Sequence, residues 1–186
     1  MGAVPPPADP QVASAIFADH VNRVESSERA RERGWVFVRI DHLHVAAAVI
    51  GRRADGQQDK YWVMLGGEYY DEYPPTTAFV RPPSEQSALS ATQGWVEAPA
   101  GSRWLPAVSP ALPWFAIHSR YRNFADGCPR QLVCCSMVFE YYITGHTPTD
   151  GQRWQKGRHT LAATLNRIST ALISPNYRGP SGDLDA

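Results

Sequence analysis

The spacing of apolar positions changes twice along the chain. Val12, Ile16, Phe17, Val21 and Val24 recur at helical intervals, which stacks them on one face of a helix. Asp9 suits the cap of that helix, Pro10 its first position and Gly34 its stop. The far end of the segment, "SSERARER", carries no apolar stripe and reads as a solvated face. Four short runs rich in β-branched and aromatic residues follow: 35–40, 44–50, 60–65 and 76–81. Asp55-Gly56 marks a tight turn between the second and third. Successive strands with short links predict an antiparallel meander. The helical period returns at Leu161, Leu165, Ile168 and Leu172, and Pro175 ends it.

Between these elements the pattern is irregular. Residues 82–116 are rich in proline and carry Trp95, Trp104 and Trp114. Three indoles in a polar loop predict that the segment packs against the sheet, and a loop of this length is commonly functional. Residues 1–9 read as a disordered lead-in, 10–177 as one domain, and 178–186 as a flexible tail. Helices lying outside an antiparallel sheet make the fold class α+β: an N-terminal helix, a four-stranded meander, a long irregular loop and a C-terminal helix.

Charge narrows the function. Lys+Arg and Asp+Glu are both 18, so the chain lacks the basic excess of a general nucleic-acid or anionic-membrane binder. Three cysteines do not make a secreted disulfide framework, and no apolar run is long enough to span a bilayer. A reducing, cytoplasmic setting is the expectation. Only Lys60 and Lys156 are lysines, which leaves few internal amines for a reactive acyl group to modify. No glycine-rich phosphate loop is present, so no nucleotide or other cofactor is expected.

The chemistry concentrates in "RQLVCCSMVFEYYI" at 130–143. In an extended segment adjacent side chains point to opposite faces, so at most one of Cys134 and Cys135 meets a given cleft. One reading makes both packing material, because free cysteine is among the most buried residue types. The other makes Cys134, with Cys135 as its rival, a nucleophile. Cys128 lies in a turn. A thiol of this kind needs a base or an oxyanion donor beside it, and the candidates are His118, Asn123 and His146. Asp126 and Asp150 are candidates for orienting an amine, and "EYY" at 140–142 reads as core and rim packing. The spacing shows neither C-x-x-C nor H-x-x-x-H, so a metal site is not expected.

The layout resembles the ubiquitin-conjugating (E2) enzymes, in a divergent, bacterial type. A helix, a four-strand meander and a Tyr-Pro turn before the fourth strand occur in that order, here as "EYPPTTAFVRP". "VCCSM" matches the second half of the family's nucleophile segment and places the nucleophile at Cys134. The chain has no His-Pro-Asn, and His118 and Asn123 are the nearest substitutes. His118 precedes Cys134 by sixteen residues, a wider gap than the family's. The resemblance implies a UBC fold and a carrier that takes the C-terminus of a ubiquitin-like protein from an E1-like adenylating enzyme as a cysteine thioester. It then passes that C-terminus to a protein amine. The alternative is a non-catalytic binding domain of the RWD or E2-variant kind, and a third is a small hydrolase with a Cys–His pair.

Overall fold

The computed structural model describes residues 4–84 and 87–182. Helix α1 (Pro10–Glu25) opens where expected: the Asp9 carboxylate accepts the N–H groups of Gln11 and Val12 at 3.0 and 3.1 Å. Its buried stripe is Ala13, Phe17, Val21 and Val24. Val12, expected on that stripe, is exposed because it lies one position off this register. The helix does not run on to Gly34. The Ser27 hydroxyl turns back to the Val24 carbonyl and accepts the Ala30 N–H, which starts a second helix, α2 (Glu28–Arg33). Serine competes with the backbone in this way where a helix can end. Gly34, at φ +66, supplies the left-handed stop for α2. Ala30 is buried, so this charged stretch still presents one small apolar contact.

The meander forms as expected. Strands β1 (Val36–Arg39), β2 (His44–Arg52), β3 (Gln58–Gly66) and β4 (Thr76–Arg81) pair antiparallel in chain order, with Ala47 between Phe37 and Val63, and Val63 opposite Phe79. One face carries Val45, Val49, Tyr61, Val63 and Phe79 into the main core, where α1 and α4 (Leu161–Leu172) close it. Leu161, Leu165, Ile168 and Leu172 are all fully buried there. The other face, with Val38, Ala46, Ala48, Trp62 and Val80, is covered as well. Residues of the long segment lie on it: Ala88 is buried, and Trp95 meets Trp62 edge to face at 5.1 Å. Trp104 packs against both cores and Trp114 against the main one.

The long segment is less irregular than its sequence. It contributes β5 (Val96–Glu97) to the edge of β4, and β6 (Pro106–Val108). Strand β6 pairs with β9 (Tyr177–Pro180), so the chain expected to be a loose tail from 178 is a strand through 180. Tyr177 anchors it: its hydroxyl donates to Asp59 at 2.6 Å, and Asp59 also takes both ends of the Arg53 fork. Of the expected lead-in and tail, residues 1–3 and 183–186 lie outside the described residues.

A hairpin, β7 (Ala116–Tyr121) and β8 (Arg130–Cys134), stands beside β4 without joining its ladder. Side chains make the junction. The Gln131 amide accepts the Phe79 N–H at 2.6 Å and donates to the Phe79 carbonyl at 3.2 Å. Glu140 accepts the Thr77 N–H. Glu140 belongs to a short helix, α3 (Phe139–Ile143), which follows the cysteines and turns "EYY" into one helical turn. Among the described residues no helix is long and apolar enough to cross a membrane.

Candidate active site

The two adjacent cysteines part company at the end of β8. Leu132 and Cys134 point toward a small apolar cluster with Phe124, Phe139 and Ile143, while Val133 and Cys135 enter the main core. This is the period-two alternation of a strand. Cys135 is 1 % exposed, and burial pushes its thiol up to about 12. It is inert packing material at neutral pH. Cys134 is half-buried, and desolvation raises its thiol as well. Cys128 is exposed in the turn between β7 and β8, where its N–H donates to Asp126.

His146 is the partner of Cys134: its Nε2 lies 3.6 Å from Sγ. Helix α3 ends at Thr144, and Gly145 at φ +83 reverses the chain so that His146 folds back over the helix end. The other ring nitrogen, Nδ1, lies 3.0 Å from Thr144 Oγ1. The Tyr141 ring stacks on the imidazole with centroids 4.7 Å apart and planes at 26°. Desolvation and the nearby His118 lower the basicity of His146. A raised thiol facing a lowered imidazole makes a neutral pair at neutral pH, rather than a thiolate–imidazolium ion pair.

The imidazole side of the pair opens to solvent. His146 borders an open groove of about 660 Å³ lined by Tyr121, Asn123, Gly127, Thr144 and Gly145. It also borders a second groove of about 340 Å³ lined by Tyr73, Tyr142, Arg153 and Trp154. Tyr73 of the Tyr-Pro turn reaches this region by packing on Phe139 and Tyr142.

The other expected residues take different places. His118 lies opposite Leu132 on β7, on the Cys134 face of the hairpin, with its ring 5.2 Å from Tyr121. It makes no hydrogen bond to Cys134 among the described residues; desolvation lowers its basicity, and its charge acts on His146 instead. Asn123 reaches toward the Tyr121 hydroxyl at 3.5 Å and lines the larger groove. Asp126 ties the β7–β8 turn by taking the Arg130 guanidinium and the Cys128 N–H. The Asp150 side chain lies outside the described residues. Of the four candidate groups within the described residues, His118, Asn123, Asp126 and His146, the structure brings His146 to the sulfur.

Sequence reasoning missed Thr144 and read Glu140 and Tyr141 only as core and rim packing. "TGH" after an apolar helical turn was the available signal for Thr144: a hydroxyl at a helix end, a glycine reversal, then an imidazole. Glu140 gave no signal, because its role is to meet a backbone N–H of a strand sixty-three residues earlier. It is partly exposed as a residue, yet its carboxyl lies in the interior, where desolvation pushes it up to about 8. Among the described residues no group of three or more His, Cys, Asp or Glu side chains could hold a metal ion. No protein-family model matches the chain, and no curated protein matches it.

The arrangement can do nucleophilic chemistry. As Cys134 attacks a carbonyl, its proton can pass to Nε2, and the same nitrogen can return it to a leaving group.

Proposed function

We propose that the chain is an E2-like acyl carrier, which holds the C-terminus of a ubiquitin-like protein on Cys134 as a thioester. The observation that carries the reading is the 3.6 Å approach of Cys134 Sγ to His146 Nε2 beside open grooves. The helix–meander–hairpin–helix order and the Tyr-Pro turn, whose Tyr73 packs on the same apolar cluster as Cys134, support it, and with it a UBC-like identity for the fold. The partners are an E1-like adenylating enzyme, a ubiquitin-like modifier and a protein amine.

In the loading step the Cys134 proton moves to His146, and the sulfur attacks the thioester carbonyl held on the E1 cysteine. A new S–C bond forms, the S–C bond to the E1 cysteine breaks, and the E1 sulfur departs as a thiol with the proton that His146 returns. In the second step a neutral amine attacks the Cys134 thioester, the C–N bond forms, the S–C bond breaks, and the proton lost by the amine passes by way of His146 to Sγ. Neutral partners suit both steps, since a thioester resists water and yields to amines.

A peptide ending in Gly-Gly, supplied as its mercaptoethanesulfonate thioester, tests the proposal without an E1. Intact mass should show one thiol-labile adduct on the wild type and on Cys135→Ala, and none on Cys134→Ala. An adduct on Cys135, or no adduct, overturns the reading. A hydrolase is the second reading, because a neutral base facing a thiol also serves water as the acceptor. It predicts that the probe is consumed in many turnovers without an accumulating adduct. The binding-domain alternative predicts full function in Cys134→Ala.

A further inference from the structure

We infer that Thr144 is a positioning residue that fixes the tautomer of His146 and so leaves Nε2 as a bare acceptor toward Cys134. The inference rests on the reading of Cys134 and His146 as the reacting pair. A threonine hydroxyl has one proton and two lone pairs. Thr144 Oγ1 lies 2.7 Å from the Glu140 carbonyl and 3.3 Å from the Tyr141 carbonyl. Both carbonyls belong to α3. A carbonyl only accepts, so the Thr144 proton is committed to this helix end.

The same oxygen lies 3.0 Å from His146 Nδ1. With its proton spent, it can meet Nδ1 only as an acceptor, so the ring proton sits on Nδ1. A neutral imidazole carries one N–H, and Nε2 is then unprotonated. Nε2 is the nitrogen that faces Sγ at 3.6 Å. In the opposite tautomer an N–H would point at the thiol and could not take its proton. The helix end of α3 thus does through one hydroxyl what a carboxylate does in a Ser–His–Asp triad: it orients the ring and selects the tautomer. The Tyr141 ring stacked on the imidazole restricts its rotation. Unlike a carboxylate, a hydroxyl adds no negative charge to steady an imidazolium. The base is therefore weak, in keeping with a carrier whose acyl group must survive until an amine arrives.

The test reads the tautomer directly and the chemistry separately. Long-range ¹H–¹⁵N correlation spectra of the wild type at pH 8, with His146→Gln for assignment, should show the His146 proton on Nδ1. A proton on Nε2 overturns the inference whatever the labelling assay gives. Loading of the Gly-Gly peptide thioester onto Cys134 should fall about tenfold in Thr144→Val, and Thr144→Ser should restore most of the rate. Across pH, the decrease in Thr144→Val should be largest near neutrality and shrink where the free thiolate forms without help. Unchanged loading in a folded Thr144→Val overturns the positioning role while leaving the Cys134 proposal intact. Absent loading in the wild type removes the proposal beneath it.

Discussion

Cys134 and Cys135 differ by one position and by everything that governs a thiol. Cys135 is fully enclosed and its sulfur stays protonated across the usable pH range. Cys135→Ala removes one buried sulfur and should cost about 1 kcal/mol, measured by urea denaturation, with Cys134 still loaded. Cys135→Ser is expected to be worse, since a hydroxyl would have to find a partner there; an unpaired one costs ~1–3 kcal/mol. Cys134 is half-buried and desolvated, so its alkylation by iodoacetamide should rise with pH to a midpoint above that of an ordinary thiol. A rate already at its plateau at pH 6 would mean an ion pair with His146 and would contradict the neutral-pair geometry. Gly145 matters for its backbone alone: nothing lies near a Cβ placed there, yet φ is +83. Its Ala variant would strain the reversal that returns His146 to the thiol.

The elements meet through side chains that imitate a strand. The hairpin of β7 and β8 does not continue the ladder of β4. Gln131 instead supplies the acceptor for the Phe79 N–H, and Glu140 the acceptor for the Thr77 N–H. Gln131→Leu keeps the volume and strands the buried Phe79 donor, so a loss of ~1–3 kcal/mol is expected in chemical denaturation. Glu140 gives a pH signature. Its folded carboxyl is raised to about 8 by desolvation, so the folded state holds a proton that the unfolded state has released. Stability from this group therefore falls as pH rises from the ordinary carboxyl range of 4.5 toward 8, and levels off above it. Glu140→Gln should remove that slope, with a larger gain in melting temperature at pH 8 than at pH 5. Equal shifts at both pH values would show that the carboxyl ionises as freely as in the unfolded chain.

At the scale of the molecule, the sheet is covered on both faces and β9 closes against β6. The segment that looks like a loop lays Ala88 and two indoles on the outer face, and the segment that looks like a tail supplies β9. The lock is a proton chain: Tyr61 donates to Tyr177 at 2.5 Å, Tyr177 to Asp59, and Asp59 accepts Arg53. Tyr177→Phe would take the acceptor from the buried Tyr61 hydroxyl, with an expected loss of ~1–3 kcal/mol by thermal or urea unfolding. A neighbouring constraint is steric. A Cβ on Gly51 would sit 2.7 Å from the Tyr177 ring, so Gly51→Ala must displace β9 or destabilise it. Neither variant touches the Cys134 site, and loading of the peptide thioester should persist in the fraction that folds.

The sequence by itself determined the elements whose signal is local. Asp9 and Pro10 begin α1, the alternation at 76–81 makes β4, and the leucine spacing from Leu161 makes α4. It also determined that two neighbouring cysteines in a strand must face opposite ways. Which way each faces was decided by tertiary structure, since it depends on where the hairpin docks, and Gln131 and Glu140 set that across fifty to sixty residues. The same holds for His146 over His118 and Asn123. Sequence distance from Cys134 does not rank them; the reversal at Gly145 and the end of α3 do. The long proline-rich segment and the tail carry no periodicity of their own. Their order comes from the surfaces and strand on which they pack.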